Sequence, residues 1–575
     1  MNRLTSILVK EKAGMVSAFI LTSAVAALFT MGSALSVTDF LQLIFPSDSS
    51  ASMLKGASNP LMRLLDKVYV VLAAQGTTKA LVLYALLLLV LYGMKNLFSY
   101  LSAVEFSNVK TSVLRSLRNL LHRSATNQDF ASWSSQRQGQ WLSAMSNDVV
   151  EYEANVLDSL RMIVSSSLTM IIYVIMLLYL DWKLTLLVVF VMLVGTLLLS
   201  ASRRLKRRSR QLQALNGELL STTQETIDSL KEIKAATAIE YVNHRQREQN
   251  SLFTKRRISL YRQIYAASPL SDFVGNTIVV VILIIGAYRV LGDAATLSAS
   301  LFVSYIMIYV LLLTPIKDFS NAIAQLKKGR GVEDRLHEMT SAAKGQESTP
   351  GGGVENKEVI DSITFKDVCF GYGENDVISH LDLELPMHCH IAVIGESGSG
   401  KSTFGRLLSG LMEPRSGAIL INGHTSSAME RASLIAYIPQ EPMLFNDSIE
   451  ENIRFGREWI SQDDIAEAVR VAQVSSIVDN LPNGLQSYIG DGGCLLSGGE
   501  RQRVSIARAL AGKPEVVVMD EATAALDAAT ESQFTLSLRQ MLLNHTVVII
   551  AHRASTIASC DKIFDVKSHL LKTIV

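Results

Sequence analysis

Six stretches, near residues 15–37, 80–100, 160–180, 184–200, 273–290 and 298–316, are long, apolar and almost free of charge. A helix rising about 1.5 Å per residue needs about 20 such residues to cross the hydrocarbon core, and an open chain in lipid has no other way to satisfy its own backbone polar groups. Soluble cores do not produce six such runs in one half of a chain. This half is therefore predicted to be a bundle of about six membrane helices. A hydrophobic fraction of 49% against 19% charged agrees with a membrane class. The first run is too long for a signal-peptide core and has no small-residue cleavage pattern after it, so it is expected to be a retained helix.

Basic residues set the orientation. Arg3, Lys10 and Lys12 precede the first run, Lys110, Arg115, Arg118 and Arg123 follow the second, and Arg203, Arg204, Lys206, Arg207, Arg208 and Arg210 follow the fourth. With six crossings these flanks share one side, which the positive-inside rule makes cytoplasmic, together with both termini. The cytoplasmic connections after the second and fourth runs, about 60 and about 70 residues, are too long for structureless loops, so the helices are expected to continue into the cytosol. From 341 to 358 the composition turns polar and Gly-rich, as in a linker. The reading is thus a membrane domain over 1–340, a linker over 341–358 and a second domain over 359–575. A net charge of +1 offers no electrostatic case for nucleic acid. Cys369, Cys389, Cys494 and Cys560 have neither paired metal spacing nor a disulfide-like framework, and read as reduced thiols.

Residues 391–394 read as a short buried strand. The run that follows, Gly395, Glu396, Ser397, Gly398, Ser399, Gly400, Lys401, Ser402 and Thr403, fits a phosphate-binding loop opening a helix. Glycines let backbone N–H groups reach phosphate oxygens, Lys401 reaches the outer phosphates, and the Ser402 hydroxyl suits Mg²⁺. A second apolar strand, 516–519, ends in Asp520 and Glu521. Asp520 can hold Mg²⁺ through water, and Glu521 can orient and deprotonate an attacking water. Together these segments predict an α/β P-loop domain that hydrolyses a nucleoside triphosphate.

Leu496, Ser497, Gly498, Gly499, Glu500, Arg501, Gln502 and Arg503 resemble the signature motif of ABC ATPases, placed shortly before the Asp520-Glu521 strand as in that family. The resemblance extends over the whole chain and implies a role for each matching position. Tyr372 matches the aromatic that stacks on adenine. Gln440 matches the glutamine that senses Mg²⁺ and faces the membrane domain. Ala525, Leu526 and Asp527 match the D-loop, and His552 matches the switch histidine near the γ-phosphate. In that family the phosphate loop of one copy and the signature of another close on one nucleotide, so the resemblance implies a dimer, most simply a homodimer, in which Ser497 and Gly499 meet ATP on the partner. Three positions depart from the pattern. Ala524-Ala525 stands where serine is usual, Glu500 where glutamine is commoner, and Tyr488 where exporters often carry glutamate.

Membrane domain first, ATPase second and six spans resemble exporter-type half-transporters, in particular bacterial lipid A flippases. This implies ATP-driven export or inner-to-outer flipping of an amphipathic substrate, a lipid or lipid-linked molecule, across a bacterial inner membrane by alternating access. Multidrug or peptide export, or an ATP-gated channel or regulator, are the alternatives. Residues 139–148 look like the first coupling helix of this family, and 235–241 like the second. Lys95 and Arg161 lie near the cytoplasmic ends of their spans. Two readings stand for them: snorkelling to the interface, or pairing with an anionic headgroup in the cavity.

Overall fold

The computed structural model describes residues 12–44, 77–128, 130, 135–186, 188–189, 219, 222–291, 299–341, 359–372, 375–396, 398–521, 539, 545–551 and 553–573. The chain forms two compact units, Met1–Arg123 with Leu142–Ser341, and Ser124–Trp141 with Ala342–Val575. The second unit thus takes in a short stretch from within the half assigned above to the membrane.

The membrane half of the chain contains α1 (Ala13–Ile44), α2 (Thr77–Thr126), α3 (Ser135–Ser143), α4 (Val149–Tyr152), α5 (Asp158–Leu180), α6 (Leu230–Ala235), α7 (Ile239–Leu291) and α8 (Ala299–Ser341), of which α3 falls, as far as Trp141, in the second unit. The path from α3 to α5 is continuous through two π-turns, Ala144–Asp148 and Glu153–Leu157. Among the described residues, 5 helices are long and apolar enough to cross a membrane. The fourth predicted run, 184–200, is described only as far as Val189, and the rest of it lies outside the described residues.

Helix α2 has 50 residues and α7 has 53. At about 1.5 Å per residue each is more than twice as long as a hydrocarbon core of about 30 Å. The connections predicted to be too long for loops therefore contain continuations of the helices. Lys110 of α2 pairs with Glu153 at 2.9 Å and Asp158 at 3.3 Å, which ties α2 to the returning helical path. Residues 139–148, expected as a docking helix, belong to that path. The stretch grouped with the second unit is Ser124–Trp141, which starts well before 139. Near 235–241 the chain turns between α6 and α7 with Thr237 at φ 52°, and leaves Ile239 and Tyr241 exposed.

Tyr173, Met176 and Leu177 of α5 pack with Ile278 and Ile282 of α7 and Tyr305, Tyr309 and Leu312 of α8. Leu89, Phe273, Ile284 and Tyr288 stay exposed. Outward apolar residues suit lipid, whose tails are as apolar as leucine, so helix association rests on close packing and a few polar links. One such link is Asp181, which accepts the Leu184 amide at 2.9 Å and Arg289 Nη1 at 2.5 Å.

The second unit is built on two sheets. One is antiparallel, in the order β2 (Ile378–Leu385), β1 (Ile363–Phe370), β4 (Ser416–Ile421), β5 (His424–Thr425). The other runs in the order β10 (Leu570–Thr573), β9 (Lys562–Asp565), β3 (His390–Ile394), β8 (Thr546–Ile550), β7 (Val516–Asp520), β6 (Ile435–Ile438), with every pair parallel except β9 and β10. Its helices are α9 (Lys401–Leu408), α10 (Ala428–Leu434), α11 (Ile449–Arg454), α12 (Gln462–Val471), α13 (Ser475–Val478), α14 (Gly498–Leu510) and α15 (Ala554–Ala558).

Strand periodicity sorts the apolar residues into two cores. Val516, Val518, Val548 and Ile550 pack with Phe404 and Leu407 of α9, whereas Val517, Met519, Val547 and Ile549 pack with Val504, Ile506 and Ala507 of α14. Strands buried on both faces read as unbroken apolar runs, as these do. The parallel sheet therefore stands between the helix that follows the phosphate loop and the helix that carries the signature.

Candidate functional site

Strand β3 ends at Ile394 and α9 begins at Lys401, which leaves 395–400 as the loop at the strand's carboxyl end. Gly400 is the N-cap of α9 at φ 95° with no side-chain cap, and Gly395 sits at φ 152°, both conformations that exclude a side chain without strain. Lys401 is only 6% exposed, and its Nζ donates to the carbonyl oxygens of Gly395 and Glu396, both at 2.8 Å. An ammonium has three donors, so one remains for a ligand. The Ser399 hydroxyl is buried with no hydrogen-bond partner among the described residues. Uncapped amides at a helix start, an orphaned hydroxyl and a buried ammonium together fit the oxygens of a phosphate chain.

Asp520 ends β7 and is 3% exposed. Ser402 Oγ donates to its Oδ1 at 3.0 Å, and Tyr437 Oη donates to its Oδ2 at 2.7 Å. Burial, with the adjacent carboxylate, pushes the Tyr437 hydroxyl well above its ordinary pKa, so it stays a donor. The Ser402 and Asp520 oxygens are hard donors of the kind Mg²⁺ takes beside phosphate. Parallel pairing of Ile438 with Met519 brings the segments after β6 and β7 side by side. There Gln440 Nε2 donates to Glu521 Oε2 at 2.7 Å. Glu521 has φ 49°, and its amide donates to the Ile550 carbonyl at 3.2 Å. A non-glycine residue in the left-handed region costs of order 1 kcal/mol or more, and such outliers cluster at functional sites.

Tyr372, half-exposed, packs edge-on to Phe370 with ring centroids 5.3 Å apart. Its hydroxyl lies 3.5 Å from Thr403 Oγ1 and accepts from Arg406 Nη1 at 3.4 Å. An exposed ring face beside the phosphate loop can take a nucleobase by stacking.

Ser497 caps α14 in a capping box: its Oγ accepts the Glu500 amide, and its own amide donates to Glu500 Oε2 at 2.7 Å. This gives Glu500 a local role at the start of α14, one that a glutamine at this position would also fill. The bond from the Ser497 amide holds the Glu500 carboxyl below its usual range. Ser497 and Gly498 are exposed, and no hydrogen bond among the described residues links Ser497, Gly498, Gly499 or Glu500 to the loop at 395–400.

Of the residues read from sequence, the fold thus gathers Lys401, Ser402, Thr403, Tyr372, Gln440, Asp520 and Glu521 at one end of the parallel sheet, and leaves the signature at the start of α14. Ser397, Asp527 and His552 lie outside the described residues. Sequence reasoning missed Tyr437 and Arg406. The only sequence signal for Tyr437 is its place on the strand beside Asp520, and Arg406 has none.

In the membrane unit, a cavity of about 350 Å³ is lined by Phe19, Lys95, Arg161, Thr169 and Pro315, among others. Lys95 and Arg161 both line it, and among the described residues no acidic side chain does. Some of its hydroxyl protons are spent elsewhere: Ser23 and Ser102 bond one another at 2.6 Å, while Thr30 and Thr169 donate to carbonyls of their own helices. Asp158, one turn before Arg161, is held by Lys110.

Family models describe two regions of the chain: the ABC transporter transmembrane region matches residues 15–316, and the ABC transporter model matches 378–524. An ATP-dependent lipid A-core flippase of Syntrophus aciditrophicus is 28% identical over 482 residues, 83% of this chain and 80% of the flippase. The mitochondrial potassium channel ATP-binding subunit of Rattus norvegicus is 31% identical over 492 residues, 83% of this chain and 68% of that subunit. The solved structure of a bacterial Atm1-family ABC exporter with ATP bound superposes with a TM-score of 0.76 at 22% identity, over 99% of this chain and 96% of that one, and so shares the fold.

Proposed function

The chain belongs to the ABC transporters and carries both their transmembrane region and their ATPase domain, and on that premise we propose that it is one half of a homodimeric exporter that moves an anionic amphiphile out of a bacterial inner membrane. The observation that carries the nucleotide chemistry is the cluster Lys401, Ser402, Asp520, Gln440 and Glu521 at one sheet end. Lys401 and the amides of the loop and α9 bind the phosphates. Mg²⁺ would be held by Ser402 and Asp520, where it would neutralise phosphate charge. Glu521, oriented by Gln440, takes the proton of the attacking water, and His552 stands near the γ-phosphate in the family pattern.

Dimerisation comes from the family pattern, in which the phosphate loop of one copy and the signature of another close on one nucleotide. The packing of α9 and α14 on opposite faces of the sheet agrees with that pattern. ATP bound between the two copies favours the closed pair, and its loss favours the open one, which is a ligand shifting a two-state equilibrium through differential affinity. The same closure sets the access of the membrane cavity.

The substrate reading rests on Lys95 and Arg161. Two cations in one cavity of a membrane domain, with no carboxylate among the described lining residues and the neighbouring Asp158 engaged, suit an anionic headgroup. Phe19 and Pro315 in the same lining suit its apolar part. The flippase relatives have names that agree with a lipid. The channel subunit among the relatives keeps a second reading, an ATP-binding partner of a conducting pore, in view. Reconstitution of the chain in liposomes separates them. ATP-dependent transfer of a labelled anionic phospholipid between leaflets is expected, and an ATP-sensitive ion current with no lipid transfer would overturn the exporter reading.

A further inference from the structure

Arg406 lies on α9, one turn beyond Ser402, and the reaction described above gives it no role. Its guanidinium donates to Tyr372 Oη at 3.4 Å and lies beside the hydroxyl of Tyr437, close enough for the two groups to act on one another electrostatically. Tyr437 in turn donates to Asp520 at 2.7 Å. The guanidinium carbon sits 5.5 Å from the centre of the Phe130 ring, and its Nε is buried with no hydrogen-bond partner among the described residues. Phe130 belongs to Ser124–Trp141, the stretch between α2 and α3 that groups with the nucleotide unit.

One flat group thus bonds the nucleobase aromatic, stands beside the hydroxyl that orients the metal-binding carboxylate, and faces a ring from the segment joining two membrane helices. A guanidinium can do this because its donors form a rigid planar fork while its face stacks on an aromatic ring. With Nε unbonded, the Phe130 ring has a large share in fixing where the plane lies. A displacement of Phe130 therefore moves the guanidinium relative to both hydroxyls at once. Lysine, a point charge on a flexible stem, cannot hold two hydroxyls and a ring in one geometry.

We propose that Arg406 is a positioning residue through which the 124–141 segment sets both ends of the nucleotide site, nucleobase affinity through Tyr372 and metal affinity through Tyr437 and Asp520. The inference rests on the assignment of Tyr372 and Asp520 to those two ends.

The test uses the full-length chain in nanodiscs, with Phe130→Ala, Arg406→Lys, Tyr437→Phe and the Phe130→Ala/Arg406→Lys double variant. Two binding quantities are read: the Kd of a fluorescent ATP analogue in EDTA, and the affinity for Mn²⁺ in the presence of ATP by electron paramagnetic resonance. Phe130→Ala is expected to weaken both by about threefold, the scale of one exposed cation–π contact. Tyr437→Phe should weaken Mn²⁺ binding alone. Arg406→Lys should weaken both, and the double variant should add little to it, since both changes act on one group. Effects that multiply in the double variant, or a Phe130→Ala protein unchanged in both quantities, overturn the proposal. Should Arg406→Lys fail to fold, Phe130→Ala and Tyr437→Phe decide it. Lys401→Ala serves as the control for the site itself: if it still binds the analogue normally, the site assignment fails, whatever Phe130→Ala does.

Discussion

Ser402 Oγ and Asp520 Oδ1 lie 3.0 Å apart although 118 positions separate them in the chain. The contact exists because α9 starts at the end of β3 while Asp520 ends β7, two strands away in the same parallel sheet. Parallel strands bring their carboxyl ends to one edge, which is where open α/β sheets bind ligands. Gln440 reaches Glu521 for the same reason, from the strand on the other side of β7.

Glu521→Gln keeps the size of the side chain and its hydrogen bonding, and removes the base. ATP hydrolysis is expected to fall by about 10²–10⁴-fold, the usual share of general base catalysis, with nucleotide binding retained. The variant should also accumulate as a closed dimer in ATP. Turnover within a few-fold of wild type would remove Glu521 from the reaction.

Charge removal tests the membrane cavity. Lys95→Gln with Arg161→Gln should abolish the extra stimulation of ATPase activity by phosphatidylglycerol over phosphatidylcholine, whereas Lys327→Gln with Lys328→Gln, which removes equal charge from exposed positions of α8, should keep it. If the cavity pair also keeps it, Lys95 and Arg161 only anchor helices at the interface.

Glu500→Ala breaks the capping box of α14 and should lower stability by about 0.3–1.5 kcal/mol. The sign with pH follows from its depressed carboxyl. A group whose folded pKa lies below its unfolded value of about 4.3 stabilises fully above that value, and the contribution is lost as the pH falls through the folded one. The melting difference between wild type and variant should therefore be constant near neutrality and shrink in acid. A difference that persists unchanged well below pH 4 would mean that Glu500 stabilises by packing instead.

Cysteines placed at Ser50 or Gly56, in a chain without its native thiols, should react with an impermeant reagent in intact cells. Those placed at Ser209 or Ser348 should react only after lysis. The expectation rests on the basic flanks, and labelling at 348 in intact cells would invert the topology.

Local pattern carried much of this protein. Runs of about twenty apolar residues, the glycines and lysine of 395–403 and the buried strands at 391–394 and 516–519 are read within a single element, where composition and period suffice. The signature was legible as well, since its residues are contiguous. Other features could come only from the folded chain. Tyr437 is an ordinary strand aromatic until β6 is laid beside β7. Arg406 is an exposed-looking helix residue until Tyr372, Tyr437 and Phe130 arrive from three distant segments. Lys95 and Arg161 stand on different helices, and it is the packing of α1, α2, α5 and α8 that puts both in the lining of one cavity, with no carboxylate among its described lining residues. Each of these depends on register and packing between elements far apart in sequence, and neither hydropathy nor spacing along one element encodes them.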